Sequence, residues 1–318
     1  MERPGQHLQR IDLSGSTLWL HYFERTLFSF NLDSREFQRE TPPFVSAVDD
    51  FFLLPDGRVL AAMEKGDIWV NTSGDWEFLT DIPFAGLAKG TTRTPPPRVN
   101  RPGFGSVPAK ERTYRMIIRE DEIIALSPFN LYRFSLDSGV WEVLPLGEWL
   151  FDAAQISMAA GPGNSIYVGF NRGELQGGLK LVDGETGRVV TVDGRQPVSG
   201  IIPYPCINGD MVVSAGCARR SLDFGGLYHV CKERMEPFFL DSAIFDIKST
   251  GNSLLAAGKG SFLHYDGTRV LSGPAGEFSD MNGLVCSELS KRSFQVCTDI
   301  NSLVSGPGLT PLLAVRRD

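Results

Sequence analysis

The sequence is poor in histidine and cysteine and has no long apolar run. Its four histidines, His7, His21, His229 and His264, form no H-E-x-x-H and no closely spaced pair, which excludes the common zinc-protease arrangement. Five cysteines, Cys206, Cys217, Cys231, Cys286 and Cys297, are an odd count with no C-x-x-C among them, which argues against a disulfide scaffold. Only Cys286 and Cys297 flank a predicted hairpin turn, and buried free thiols are the expected state. No apolar stretch approaches the roughly 20 residues of a membrane helix. Residues 1–10 are polar and lack the apolar core of a signal peptide, so a reducing, cytoplasmic address is expected. A G-x-S-x-G elbow, a P-loop and a complete G-x-G-x-x-G are all missing. Asn71-Thr72-Ser73 has the form of a glycosylation sequon but falls in a predicted hairpin turn.

What is present points to β-structure. The 318 residues are 42% hydrophobic, enough to fill a core, and carry a net charge of −7, which does not suit coating a nucleic acid. Thirty-four glycines and 20 prolines are spread along the chain. An interior glycine costs a helix about 1 kcal/mol and a proline about 3, so a helical bundle is excluded.

One pattern recurs: a turn, a β-rich run, a second turn and a second run. Clear copies occupy residues 15–33, 57–74 and 121–139, and further copies lie at 163–184, 209–232 and 251–267, with a degraded one from Lys291 to about Ser305. Their first turns lie 42, 64, 42, 46, 42 and 40 residues apart, the length of a four-stranded propeller blade in five of six cases. Gly15, Gly57, Gly163, Gly209 and Gly251 occupy the predicted tight turns, where positive φ favours glycine. The first run ends in small residues (Val168-Gly169, Ala215-Gly216, Ala256-Ala257-Gly258), which allows neighbouring sheets to approach. The second run alternates, with Leu27, Ile68, Leu131, Leu179, Leu227 and Phe262 at matching positions. Apolar segments before and after each copy supply a first and a fourth strand. Residues 109–126 and 148–160 contain good helix formers, and each has the makings of a short helix in a loop.

The chain resembles the superfamily of bacterial propeller repeats related to the two-component-regulator and quinoprotein-like types, best at Gly163-Asn-Ser-Ile-Tyr-Val-Gly and Gly177-Gly-Leu-Lys-Leu-Val-Asp-Gly-Glu-Thr-Gly-Arg. The WD dipeptide and a repeated Trp motif are absent. The resemblance implies architecture and no chemistry. Repeat and resemblance together predict one all-β domain over residues 1–318, a seven-bladed β-propeller of four-stranded antiparallel blades.

In such a fold, loops joining strands two and three share a face with the connections between blades, and binding residues tend to sit on loops held by a rigid scaffold. A Pro/Arg-rich insertion at about 85–112 holds Lys89, Arg93, Arg98, Arg101, Lys110 and Arg112 against one acid, Glu111. The longest second-to-third-strand loops are expected at 171–177, with Arg172, and at 217–225, with Arg219 and Arg220. Arg98, Arg101, Arg172, Arg219 and Arg220 are therefore the candidate contacts for a protein partner, within a larger assembly, or for a small anionic ligand. Double-stranded nucleic acid is not expected, because so few charges on an acidic body release few counterions. This reading needs no cofactor.

A second reading places an enzyme at the central channel. Asp49, Asp152, Asp246 and Asp280, with Asn282, lie in or just before expected first strands. Converging carboxylates and amides bind Ca2+ or another divalent cation, and Asp152, Asp246, Asp280 and Asn282 would then serve a lactonase-like hydrolase or lyase. His229 and His264 fall at equivalent third-strand positions and fit ordinary outward or interblade sites.

Overall fold

A computed structural model describes residues 8–14, 16–22, 26–34, 36–40, 47–54, 56–72, 74–84, 111–150, 153, 155–172, 176–206, 209–219, 222–240, 243–250, 253–258, 261–265, 270–274, 299–304 and 312–316. All regular structure among them is β-strand, arranged in antiparallel sheets of sequential strands. The first sheet comprises β1 (Leu8–Ser14), β2 (Thr17–Tyr22), β3 (Leu27–Asn31) and β4 (Phe37–Glu40). The second is β5 (Val48–Leu53), β6 (Val59–Met63), β7 (Asp67–Thr72) and β8 (Asp75–Asp81). The third is β9 (Arg115–Arg119), β10 (Glu122–Leu126), β11 (Asn130–Ser135) and β12 (Trp141–Pro145). The fourth is β13 (Gln155–Ala160), β14 (Ser165–Asn171), β15 (Gly177–Asp183) and β16 (Val189–Asp193). The fifth is β17 (Val198–Cys206), β18 (Gly209–Arg219), β19 (Leu222–Cys231) and β20 (Arg234–Leu240). The sixth is β21 (Ile244–Thr250), β22 (Ser253–Gly258), β23 (Ser261–Tyr265) and β24 (Val270–Pro274). β25 (Asp299–Val304) and β26 (Leu312–Arg316) pair as a ribbon.

Six sheets of four strands thus follow the sequence repeat, while the seventh repeat shows two strands, so seven complete blades are not present among the described residues. Residues 8–14 form the first strand of the first sheet. Among the described residues of 109–126 and 148–160 there is also no helix. Arg115–Arg119 and Glu122–Leu126 are paired strands with Ile118 opposite Ile123 and Ile117 opposite Ile124, and Gln155–Ala160 is a strand as well. The β-branched side chains favour the pleated surface over a helix, and Glu120, at φ 53°, turns the chain between the first two.

The chain divides into two compact units, one of residues 42–198 with 232–234, the other of 1–41, 199–231 and 235–318. In the first, the sheets stack face to face. Ile124 and Leu126 pack with Ile156, Ile166 and Val168 on one side of the third sheet. Ile123 and Ala125 pack with Leu60, Ala62 and Ile68 on the other. Burial is nearly complete along β6, β10 and β14 and falls to partial exposure along β8, β12 and β16. The alternating positions Leu27, Ile68, Leu131, Leu179 and Leu227 are all buried. Gly57 (φ 88°) and Gly163 (φ 59°) adopt the left-handed turns expected of them, whereas Gly209 begins β18. Small residues do allow close approach: a Cβ on Gly169 would stand 2.7 Å from Ser157 Oγ and collide with Val198.

Polar groups tie the sheets together. Buried Asp50, in β5, accepts the N–H of Met116 at 2.8 Å and pairs with Arg115 at 3.0 Å, both in β9. Trp141 Nε1 donates to Thr80 Oγ1 at 3.0 Å, joining β12 to β8. Glu122 pairs with Arg119 and Arg133, and Arg133 with Glu142. Burial alone would raise the Glu122 carboxyl, but hydrogen bonds from Arg133 and Arg119 outweigh it and hold the group below its ordinary value.

The second unit follows the same plan. Val212, Leu227, Ile244, Ile247, Leu254 and Leu263 form a core between the fifth and sixth sheets. Ser199 Oγ meets Ser214 Oγ at 2.9 Å and donates to the Ile244 carbonyl. β25 packs beside β21 and β22 and also beside β1. Lys248 of β21 pairs with Asp12 of β1 at 3.0 Å.

Candidate functional site

Within the unit of residues 42–198, one end of the sheets gathers the turns between second and third strands and the connections from sheet to sheet. The chain arrives at β9 through Glu111, Arg112, Thr113 and Tyr114, and the Tyr114 N–H bonds the Leu126 carbonyl at 2.7 Å. The turn from β10 to β11 is Ser127-Pro128-Phe129, short and proline-bearing as such turns tend to be. After β12, the Leu146 N–H bonds the Phe129 carbonyl and the Leu150 N–H the Pro128 carbonyl, both at 2.9 Å. The expectation that these two classes of loop share one end is met here.

A buried polar cluster lies at this end. Glu111, Ser127, Asn130 and Tyr132 are each at most 6% exposed. Glu111 Oε1 accepts hydrogen bonds from Asn130 Nδ2 at 2.8 Å, from Tyr132 OH at 2.7 Å and from Ser127 Oγ. Tyr132 OH in turn accepts from Asn130 Nδ2 at 3.2 Å. Burying a carboxylate is costly unless hydrogen bonds replace its water, and convergence of three donors on one oxygen meets that need. Around the cluster, the Arg112 guanidinium lies 5.6 Å from the centre of the Tyr114 ring. Phe129 packs edge-on against Trp149, with centroids 5.5 Å apart.

The candidate arginines are placed unevenly. Arg172 is half-buried just after β14, and its backbone N–H bonds the Gln176 carbonyl at 2.9 Å to close the turn into β15. Arg219 is the last residue of β18. Arg98, Arg101 and Arg220 lie outside the described residues. The loop expected at 217–225 is a correction: the ladder continues through Cys217–Phe224, Ala218–Asp223 and Arg219–Leu222, making β18 and β19 a hairpin of 11- and 10-residue strands.

Of the channel acids, Asp152, Asp280 and Asn282 lie outside the described residues. Asp246 is half-buried in β21, and its Oδ1 accepts the N–H of Ile247 at 2.9 Å. His229 and His264 do occupy third strands. His229 stacks on Phe238 with ring centres 4.0 Å apart, and Phe238 packs on Tyr265 of the next sheet. Burial depresses the His229 pKa. Among the described residues no three His, Cys, Asp or Glu side chains are grouped to hold a metal ion. No helix there is long and apolar enough to cross a membrane. Asn71 is buried in β7 with its Oδ1 taking the Gly74 N–H at 3.1 Å, which leaves no accessible sequon.

Two solved structures share this arrangement. The chain is similar to YCF48, a β-propeller solved bound to D1 peptide, at 11% identity and a TM-score of 0.59, over 98% of this chain and 90% of that one. It is similar to the computationally designed Ika8 protein at 11% identity and a TM-score of 0.52, over 98% of this chain and 94% of that one. The fold is of propeller type. No protein-family model matches the sequence, and no curated protein matches it. A propeller-type fold is compatible with a scaffold or binding role and by itself specifies no chemistry.

Proposed function

We propose that this chain is a non-enzymatic propeller scaffold that presents a basic, loop-rich end to an acidic segment of a protein partner. The observation that carries this reading is the buried Glu111 cluster. It fixes one end of a segment with five further basic residues and no other acid, on a scaffold whose body is acidic. Arg112 and Arg172 stand at the corresponding end of their sheets, and YCF48, similar in fold, is a peptide binder by its own structure. Arg98, Arg101, Arg172, Arg219 and Arg220 would pair with carboxylates through their planar, two-pronged donors. We also propose that the seven repeats complete seven blades, a reading supported by the position of β25 beside both β1 and β21.

The test is a fluorescence anisotropy titration of the full chain with dodecapeptides of graded glutamate content. Affinity should rise with glutamate content, fall with added salt, and drop at least tenfold when all five arginines are replaced by alanine. Affinity independent of glutamate content, or unchanged in the five-fold variant, rejects the assignment.

A further inference from the structure

Three of the chain's four Asp-Gly pairs, Asp56-Gly57, Asp183-Gly184 and Asp193-Gly194, lie among the described residues. An aspartate before glycine is open to attack on its side-chain carboxyl by the next backbone nitrogen, because glycine has no Cβ to crowd the approach. The three pairs differ in what holds that nitrogen. The Gly57 N–H bonds the Leu54 carbonyl at 2.9 Å, and the Gly184 N–H bonds the Asn164 carbonyl at 2.8 Å. Gly194 is exposed, and among the described residues none accepts its N–H. The side chains of Asp183 and Asp193 are otherwise matched. Asp183 Oδ1 accepts the N–H groups of Glu185 and Thr186, both at 2.9 Å. Asp193 Oδ1, at the end of β16, accepts those of Arg195 at 2.9 Å and Gln196 at 2.7 Å. Each carboxyl is thus held beside the backbone nitrogens that follow it. Hydrogen bonds also keep two of the carboxyls below their ordinary pKa, from the Arg58 side chain at Asp56 and from the Thr186 backbone at Asp183. That disfavours the protonated form, from which oxygen leaves as water.

We propose that Asp193-Gly194 is a site of spontaneous isoaspartate formation. The Gly194 nitrogen loses its proton and bonds Asp193 Cγ, a Cγ–O bond breaks, and that oxygen leaves as water, closing a cyclic imide. Water then opens the ring. Addition at Cγ restores aspartate, whereas addition at the Asp193 main-chain carbonyl leaves the backbone running through Cβ and Cγ. One water is lost and one regained, so nothing is oxidised and no other reactant is consumed. The product lengthens the main chain by a methylene and withdraws the acceptor from Arg195 and Gln196. The segment has no slack for it: a Cβ on Gly177 would stand 2.5 Å from the Gln196 carbonyl oxygen and 2.4 Å from Pro197 Cα.

The test is to age the full chain in mildly acidic buffer and score isoaspartate at residues 56, 183 and 193 by proteolysis and electron-transfer fragmentation. Freeing one backbone hydrogen bond corresponds to roughly fivefold in rate, so residue 193 should convert about fivefold faster than 56 or 183. In urea, where none of the three nitrogens is held, the rates should converge. Gly194→Ala, whose Cβ would meet only Thr191 at 3.8 Å, should fold as the parent does and convert several times more slowly at residue 193. Ageing should then lower the urea midpoint of the parent more than that of Gly194→Ala. Equal rates at the three sites in the folded chain overturn the proposal, as do a preference for residue 193 that persists in urea and unchanged conversion in Gly194→Ala. Equal loss of midpoint in parent and variant rejects the lack of slack around residues 193–197.

Discussion

At the scale of single residues, the fold depends on a few polar side chains that a sequence does not distinguish from their neighbours. Asp49 and Asp50 are adjacent acids in one strand, and successive strand residues point to opposite faces. Asp50 is the one that receives the Met116 N–H and the Arg115 guanidinium. Glu111 looked like a lone acid in a basic stretch and is instead the buried acceptor of three donors. No local signal separates a surface carboxylate from a buried one; the difference is made by Ser127, Asn130 and Tyr132, which come from elsewhere in the chain. His229 was legible, because its repeat position matched ordinary third-strand positions, and its stacking on Phe238 fits that reading. Its folded pKa lies below the ordinary 6.5. Below about pH 6.5 the unfolded chain therefore takes up a proton that the folded one resists, and stability falls as pH drops through that range. Melting temperatures at pH 7.5 and 5.5 should converge in His229→Phe relative to the parent; an identical pH dependence in both would show that His229 does not contribute.

At the scale of strands and sheets, most of the architecture was legible. The alternating buried leucines and isoleucines, the left-handed turns at Gly57 and Gly163 and the close approach at Gly169 behave as their periodicity required. Two errors share a cause. Arg219 read as part of a loop, and residues 109–126 as able to hold a short helix, because polar side chains and helix formers were weighed by type. Backbone pairing does not need apolar side chains at every position, so β18 and β19 run on through Arg219 and Leu222. Sheet stacking overrode helix propensity at Arg115–Leu126, since Ile117, Ile118, Ile123 and Ile124 fill two different cores. Close stacking also fixes residue size. Gly169→Val should destabilise the chain by about 1–3 kcal/mol through overpacking against Val198 and Ser157, seen as a lower urea midpoint; a neutral result would mean that Val198 yields freely.

At the scale of the whole molecule, the repeat length predicted the number of sheets well until its last, degraded copy, where too few strand-forming residues recur for a pattern to be read. In the unit that contains β1 and β21, β25 lies against both, and the Asp12–Lys248 pair spans the same two strands. A chain ending after Pro274 should therefore lose the strand that lies beside β1, β21 and β22 and melt at a lower temperature with a broader transition, measured by circular dichroism. An unchanged, equally sharp transition would show that β25 is dispensable to this unit.

The position of β25 also sets an order on events in the cell. Translation delivers β1 well before β25, so the side of β1 that β25 lies against waits uncovered until residues 299–304 have left the ribosome. Nascent chains of this protein are accordingly expected to engage chaperones at that flank throughout elongation, and to release them only as residues 299–304 emerge.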